Sequence, residues 1–180
     1  MTKRAWCWTA MLLLMVVWVQ AAAALSPEAQ DRLKTNVARL YLNHKSLETV
    51  YRGLHDVALD AMAGSDRQLG YIQKLYLFVN EANLICFYQW ELLAVIGYIK
   101  EERRADYYTL RVKDLERSIF ESRDRINSLN LYSVYIESDA ARKLIENAVG
   151  LIQANVYLYE DLRDTLKPHA NPPNRYNPEM

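Results

Sequence analysis

From Leu33 to Ala61 the candidate inward positions recur at alternating intervals of four and three residues: Leu33, Val37, Leu40, His44, Leu47, Tyr51, Leu54, Ala58 and Ala61. On an α-helix that spacing draws one continuous line of side chains, the seam of a helix packed in coiled-coil fashion. The alternation returns at Leu69, Ile72, Tyr76, Val79, Asn83, Cys86, Trp90, Leu93 and Gly97. It returns again at Tyr108, Val112, Leu115, Ile119, Ser122, Ile126 and Leu129, and at Leu144, Ala148, Leu151, Asn155, Leu158 and Leu162. Four such seams point to an all-α fold. Five glycines and five prolines in 180 residues are also too few for the turns of a β-rich chain.

Punctuation sets the helix ends. Ser26-Pro27-Glu28 supplies an N-cap, a proline at the first helical position and an acid in the first turn. Gly64 ends the first helix, and Ser65 to Gln68 can form a capping box for the second. No glycine or proline falls between 98 and 149, so the next boundary rests on phase. The second seam, prolonged, runs one residue out of step with the third. One residue is about 100° of helix rotation, which predicts a break near Glu102–Tyr107. Ser138-Asp139 can cap a fourth helix, which Pro168 ends.

The sequence thus reads as helices at about 27–63, 66–103, 106–131 and 138–166, inside one domain spanning 25–167. Short turns between long helices make antiparallel neighbours, so an elongated up-down-up-down four-helix bundle is expected. The fourth helix carries a second apolar stripe, Ile145, Val149, Ile152, Val156 and Tyr159, beside its seam. The Pro- and Asn-rich tail, 168–180, has no periodicity and is expected to be disordered.

The first 24 residues have the parts of a cleaved signal peptide: basic Lys3 and Arg4, an apolar run from Ala5 to Val19, and small residues Ala21 to Ala24. Its removal leaves 20 basic and 22 acidic residues and no basic block. That balance argues against a nucleic-acid partner, and the leader points to a periplasmic or secreted protein. Cys86 is then the only cysteine, so stability rests on packing rather than on an internal disulfide.

Each seam is interrupted by a polar residue. Counted from the turns, His44, Asn83, Cys86, Ser122 and Asn155 fall near one height, which predicts a polar layer at mid-bundle. Its simplest role is to fix register and orientation, as one buried Asn does in a coiled coil. The alternative is a small hydrophobic or haem-like ligand held in the core near His44. No Glu-x-x-His pair for a carboxylate-bridged metal centre and no C-x-x-C-H haem motif occurs. His44 and His55 lie three turns apart, too far to share a metal, and no cofactor is expected. The four seams contain no Arg, Lys, Asp or Glu, and runs such as KEERRAD read as solvated faces. With no Ser/His/Asp or Cys/His arrangement and no glycine-rich phosphate loop, the chain does not read as an enzyme.

The stretch 75–99, LYLFVNEANLICFYQWELLAVIGYI, is interrupted by Glu81 and Glu91. Each central acid costs roughly 2.5–3.5 kcal/mol to insert in a bilayer, so no transmembrane span is expected here. A second stripe runs roughly opposite the seam: Phe78, Glu81, Ile85, Tyr88, Leu92, Val95 and Ile99. An unbroken apolar stripe needs a cover, either the rest of the same chain, such as the wide arc of the fourth helix, or a partner. Its apolar members, Phe78, Ile85, Tyr88, Leu92, Val95 and Ile99, are the candidate interface for a protein partner or a two-fold homodimer. The function expected from the sequence is an exported interaction or structural module acting through helix–helix contacts.

Overall fold

Capping and apolar spacing organise the chain into four long helices. The computed structural model describes residues 25–62 and 66–171, with the backbone alone at 66 and 67. We label the helices α1 (Pro27–Ala61), α2 (Asp66–Ala94), α3 (Glu101–Ser133) and α4 (Asp139–Leu166). Short 3-10 turns at Ile96–Tyr98 and Lys167–His169 follow α2 and α4, and no strand occurs among the described residues. The expected signal peptide, the Gly64 stop, the Ser65 cap and the tail beyond Asn171 lie outside the described residues. No described helix is long and apolar enough to cross a membrane.

Two of the starts are capped by side chains. Ser26 Oγ accepts from the Ala29 amide at 3.2 Å, with Pro27 in the first turn. Ser138 Oγ accepts from the Ala141 amide at 3.3 Å. Each cap satisfies an amide that the helix itself leaves without an acceptor.

α1 packs against α2 and α4, and α3 packs against the same two helices. Partner numbers run in opposite senses along neighbouring helices. Tyr41 meets Trp90, while Tyr51 stacks on Tyr76 ten residues further along α1. Asn36 bonds Asp161 and Asn43 bonds Asn155. Gln89 reaches Ser118, and Phe78 reaches Tyr132.

Helix length alone does not hold this arrangement; burial does. Leu33, Leu40, Leu47 and Leu54 on α1 are each 0% exposed, and each such side chain is worth roughly 1.5–3 kcal/mol. The deepest line on every helix nevertheless differs from the expected seam by one residue at alternate positions. On α2 it passes through Ile72, Leu75, Val79, Ala82, Cys86, Gln89, Leu93 and Ile96, all buried. Leu75, Ala82 and Gln89 replace Tyr76, Asn83 and Trp90 on that line. On α4 it follows Ala141, Ile145, Ala148, Ile152, Asn155, Tyr159, Leu162 and Leu166, so the stripe beside the expected seam is the deeper one. A helix with two neighbours buries an arc rather than a line, and the arc's centre falls between the two candidate seams.

Two segments depart from the expected boundaries. α2 ends at Ala94 and α3 begins at Glu101, so the break comes earlier than Glu102–Tyr107. Gly97, counted above as a seam position, instead lies buried in the 3-10 turn. Ile99 and Lys100 then take extended ψ angles of 127° and 144°. Glycine is a weak helix former, and the acids Glu101 and Glu102 favour a new N-terminus immediately after the link. At the other end of the chain, Asn171 is tied to α3: its amide donates to Thr109 Oγ1 at 2.9 Å and its side chain to Asp106 at 2.6 Å.

Candidate functional site

Four of the five residues expected in a polar layer come together. His44 Nδ1 lies 2.8 Å from Asn83 Oδ1. The amide oxygen can only accept, so Nδ1 carries the proton. The His44 ring also packs on Phe87, with centroids 5.1 Å apart. Asn155, 1% exposed, accepts from Asn43 Nδ2 at 2.7 Å. The Cys86 thiol donates to the Leu40 carbonyl at 3.3 Å and touches Asn155 and Tyr159. The layer therefore joins α1, α2 and α4. Ser122, 1% exposed on α3, sits between Ser118, which meets Gln89, and Arg123, which meets Glu160. That is the height of the layer, but Ser122 makes no hydrogen bond to the other members.

Burial pushes the Cys86 thiol up to about 12, against smaller opposing contributions from Tyr159, Asn155 and the His44 backbone. Burial, with the adjacent Cys86, also holds the Tyr159 phenol well above the usual tyrosine range. Both groups stay protonated and inert across the physiological range. Removing one member of the half-buried His44–Asn83 pair leaves the other without that partner. Asn83→Leu is therefore expected to lower stability by about 1–3 kcal/mol, read by urea denaturation. A double-mutant cycle with His44→Leu is expected to show coupling between the two. Additive losses would show that the bond contributes nothing.

The expectation that charges stay outside the core is corrected at two arginines. Arg104 and Arg111 are 7% and 8% exposed. They lie on the same face of α3 as Tyr108, Leu115 and Ser118, at the alternate positions the seam skipped. Arg111 reaches Asp114 Oδ2 at 2.7 Å and lies over the Tyr107 ring at 4.9 Å. Arg104 Nε donates to the Ile99 carbonyl at 3.1 Å and so ties α3 to the link before it. An arginine can bury its stem and plane in this way while its charge is balanced locally or by dipoles. Nothing in the sequence run KEERRAD distinguishes Arg104 from its exposed neighbour Arg103 except its phase.

The outer side of α2 divides. Phe78 packs on Tyr132 with Arg125 over its ring, at 5.7 and 5.5 Å. Ile85 packs against the core. Leu92 and Ile99 are half-buried, and their carbonyls accept from Tyr107 and Arg104. These four face α3 or the link. Tyr88 and Val95 remain exposed, at 59% and 41%.

The exposed residues form a line of their own: Leu77, Glu81, Leu84, Tyr88, Glu91, Val95 and Tyr98. The four-three spacing is unbroken, so the free stripe is the expected one turned by half a step. Leu77, Leu84 and Tyr98 are its additional apolar members. Beside it a groove of about 190 Å³ separates α2 from α3, lined by Ile85, Tyr88, Gln89, Arg117 and Ser118 among others. Gln89, 4% exposed, donates to Ser118 Oγ at 2.9 Å across its floor. Among the described residues no group of three or more His, Cys, Asp or Glu stands close enough to hold a metal ion.

In comparisons with known proteins, the chain matches no family model, no curated protein and no solved structure.

Proposed function

We propose that this chain is an exported, non-enzymatic interaction module. It acts as an elongated up-down-up-down helical bundle, in the cell envelope or outside the cell, by offering the outer face of α2 to another helix. The opposed numbering of partners on each pair of neighbouring helices supports that topology. The signal-like leader supports export. The observation that carries the reading is the exposed four-three line on α2, with Leu77, Leu84 and Tyr88 46–59% exposed, continued by exposed Val95 and Tyr98 on the turn that follows. Single exposed apolar residues are ordinary on a soluble surface; a regular stripe of them is the pattern of a helix-in-groove or coiled-coil contact.

Photo-crosslinking in the producing cell tests this. A crosslinker at Tyr88 is expected to give a discrete adduct, and one at Tyr157, exposed on α4, is expected to give none. The intact mass of the exported chain should begin at Leu25. Equal adducts from both positions, or a chain retained in the cytoplasm with its leader, would overturn the reading.

A second reading has one observation behind it. Asn83 holds Nδ1 of His44 and leaves Nε2 outside that bond, the arrangement used to orient a ligating imidazole. A small hydrophobic or haem-like ligand near His44 would then show in the optical and mass spectra of the purified protein. Spectra of protein alone would dismiss it.

A further inference from the structure

The one cysteine among the described residues is buried, so no disulfide staples these helices to one another. Tyrosines stand where such a staple would. Among the described residues three pairs of tyrosine rings come together: Tyr51–Tyr76 with centroids 4.3 Å apart, Tyr71–Tyr135 at 4.9 Å and Tyr71–Tyr132 at 6.4 Å. Tyr51–Tyr76 is the closest of the three and differs in kind. Its planes lie 23° from parallel, and its two hydroxyls are hydrogen-bonded to each other. That bond draws both phenolic ends to the same side, so the ortho carbons beside the hydroxyls are neighbours as well. Tyr71 and Tyr135 stack more nearly parallel, at 14°, without such a bond.

The pair is both held and reachable. Tyr51 on α1 and Tyr76 on α2 are half-buried, each packed against the core on one side. They stand 25 residues apart on either side of the α1–α2 turn. A covalent bond between them would close that turn into a loop and restrict the unfolded chain, as a disulfide does. Two reacting groups held in contact also react far faster than the same groups brought together by diffusion.

We propose that Tyr51 and Tyr76 form an oxidative cross-linking site, joined into a dityrosine bridge between α1 and α2 by a haem peroxidase with hydrogen peroxide. Each phenol gives one electron to the oxidised haem and its hydroxyl proton to water. The two phenoxyl radicals then couple, forming one bond from ortho carbon to ortho carbon. Each of those carbons gives up its hydrogen as a proton while its ring oxygen takes one, so both hydroxyls are restored. One hydrogen peroxide receives the two electrons and two protons and leaves as two waters. The site does not depend on the reading of α2 as a partner surface.

Treatment of the purified full chain, at micromolar concentration, with a haem peroxidase and limiting hydrogen peroxide tests it. The monomer recovered afterwards is expected to carry the blue fluorescence of dityrosine. Trypsin should release residues 46–52 and 75–100 as one joined species, two hydrogens lighter than the sum of its parts, with fragmentation placing the bond at Tyr51 and Tyr76. This species should form about tenfold faster, or more, than links between separate chains. Tyr51→Phe and Tyr76→Phe keep the rings and remove a phenol, so circular dichroism should match the parent while the joined species is lost. Tyr157→Phe, at an exposed site on α4, should leave it unchanged. The treated parent should melt higher than the untreated one, and neither paired variant should show that shift. A bridge at Tyr71–Tyr135 in its place, or links between chains alone, would overturn the assignment. A joined species at parental level in Tyr76→Phe would do the same. The peptide map of the parent decides the matter even where a variant folds poorly.

Discussion

Tyr159→Ala is expected to lower the unfolding free energy by about 3–5 kcal/mol, the range for deleting a buried aromatic ring. The side chain is 0% exposed and lies on the deepest line of α4, against the Cys86 thiol. Its removal leaves a cavity that helices pinned at the Asn43–Asn155 and Asn36–Asp161 bonds cannot readily collapse to fill. Tyr159→Phe isolates the hydroxyl. That oxygen is buried without a well-formed hydrogen bond, so its loss is expected to cost less than about 1 kcal/mol. Urea denaturation of both variants checks the pair. A Phe variant as unstable as the Ala variant would mean that the hydroxyl, rather than the ring, holds the layer together.

Tyr159 also shows what the amino-acid pattern could and could not convey. Helical class, the number of helices and the capped starts at Ser26 and Ser138 follow from spacing and punctuation, because these depend on neighbours in sequence. Depth does not. Both Leu158 and Tyr159 belong to plausible seams, and only the placement of two flanking helices makes Tyr159 the buried one. On α1 and α3 the same half-step brought polar residues inward. Asn36, Arg104, Arg111 and Ser118 occupy positions that an apolar template rejects, yet each is buried. They are tolerated because Asp161, the Ile99 carbonyl, Asp114 and Gln89 meet them, and those partners are remote in sequence or invisible to a hydropathy pattern.

The candidate surface was displaced for the same reason. Phe78 and Ile85 are the more apolar choices for an outer stripe, and that is why α3 covers them. What remains free is the less apolar line through Leu84, Tyr88 and Glu91. Hydropathy along the sequence does not tell a stripe that a neighbouring helix covers from one that stays exposed; the folded bundle does.

At the layer's centre, Cys86 yields the prediction with the widest measurable range. Burial moves its thiol from an ordinary 9.0 to about 12. Near pH 8 the thiolate is then about a thousandfold scarcer in the folded chain than in the unfolded one. Labelling by a maleimide or a disulfide reagent should be slowed at least that much, and should accelerate in denaturant along with unfolding. Stability is linked to the same shift. Below pH 9 the thiol is protonated in both states, and its contribution is fully present. Above pH 9 the unfolded chain releases a proton that the folded chain retains, so stability falls by about 1.4 kcal/mol per pH unit, toward a total on the order of 4 kcal/mol as pH 12 is approached. Tyr76, Tyr107, Tyr108 and Tyr159, whose phenols are also raised, add to the decline as the tyrosines of the unfolded chain begin to ionise toward pH 10. Cys86 is the first of these groups to contribute as the pH rises. Cys86→Ala should make the stability profile less steep around pH 9 while leaving it unchanged in slope below pH 8. If the parent and the variant decline in parallel, or if Cys86 in the native protein labels as fast as a free thiol, the thiol is not sealed among Leu40, Asn155 and Tyr159. The layer would then be open to solvent, and a structural role in fixing register would give way to a role in binding.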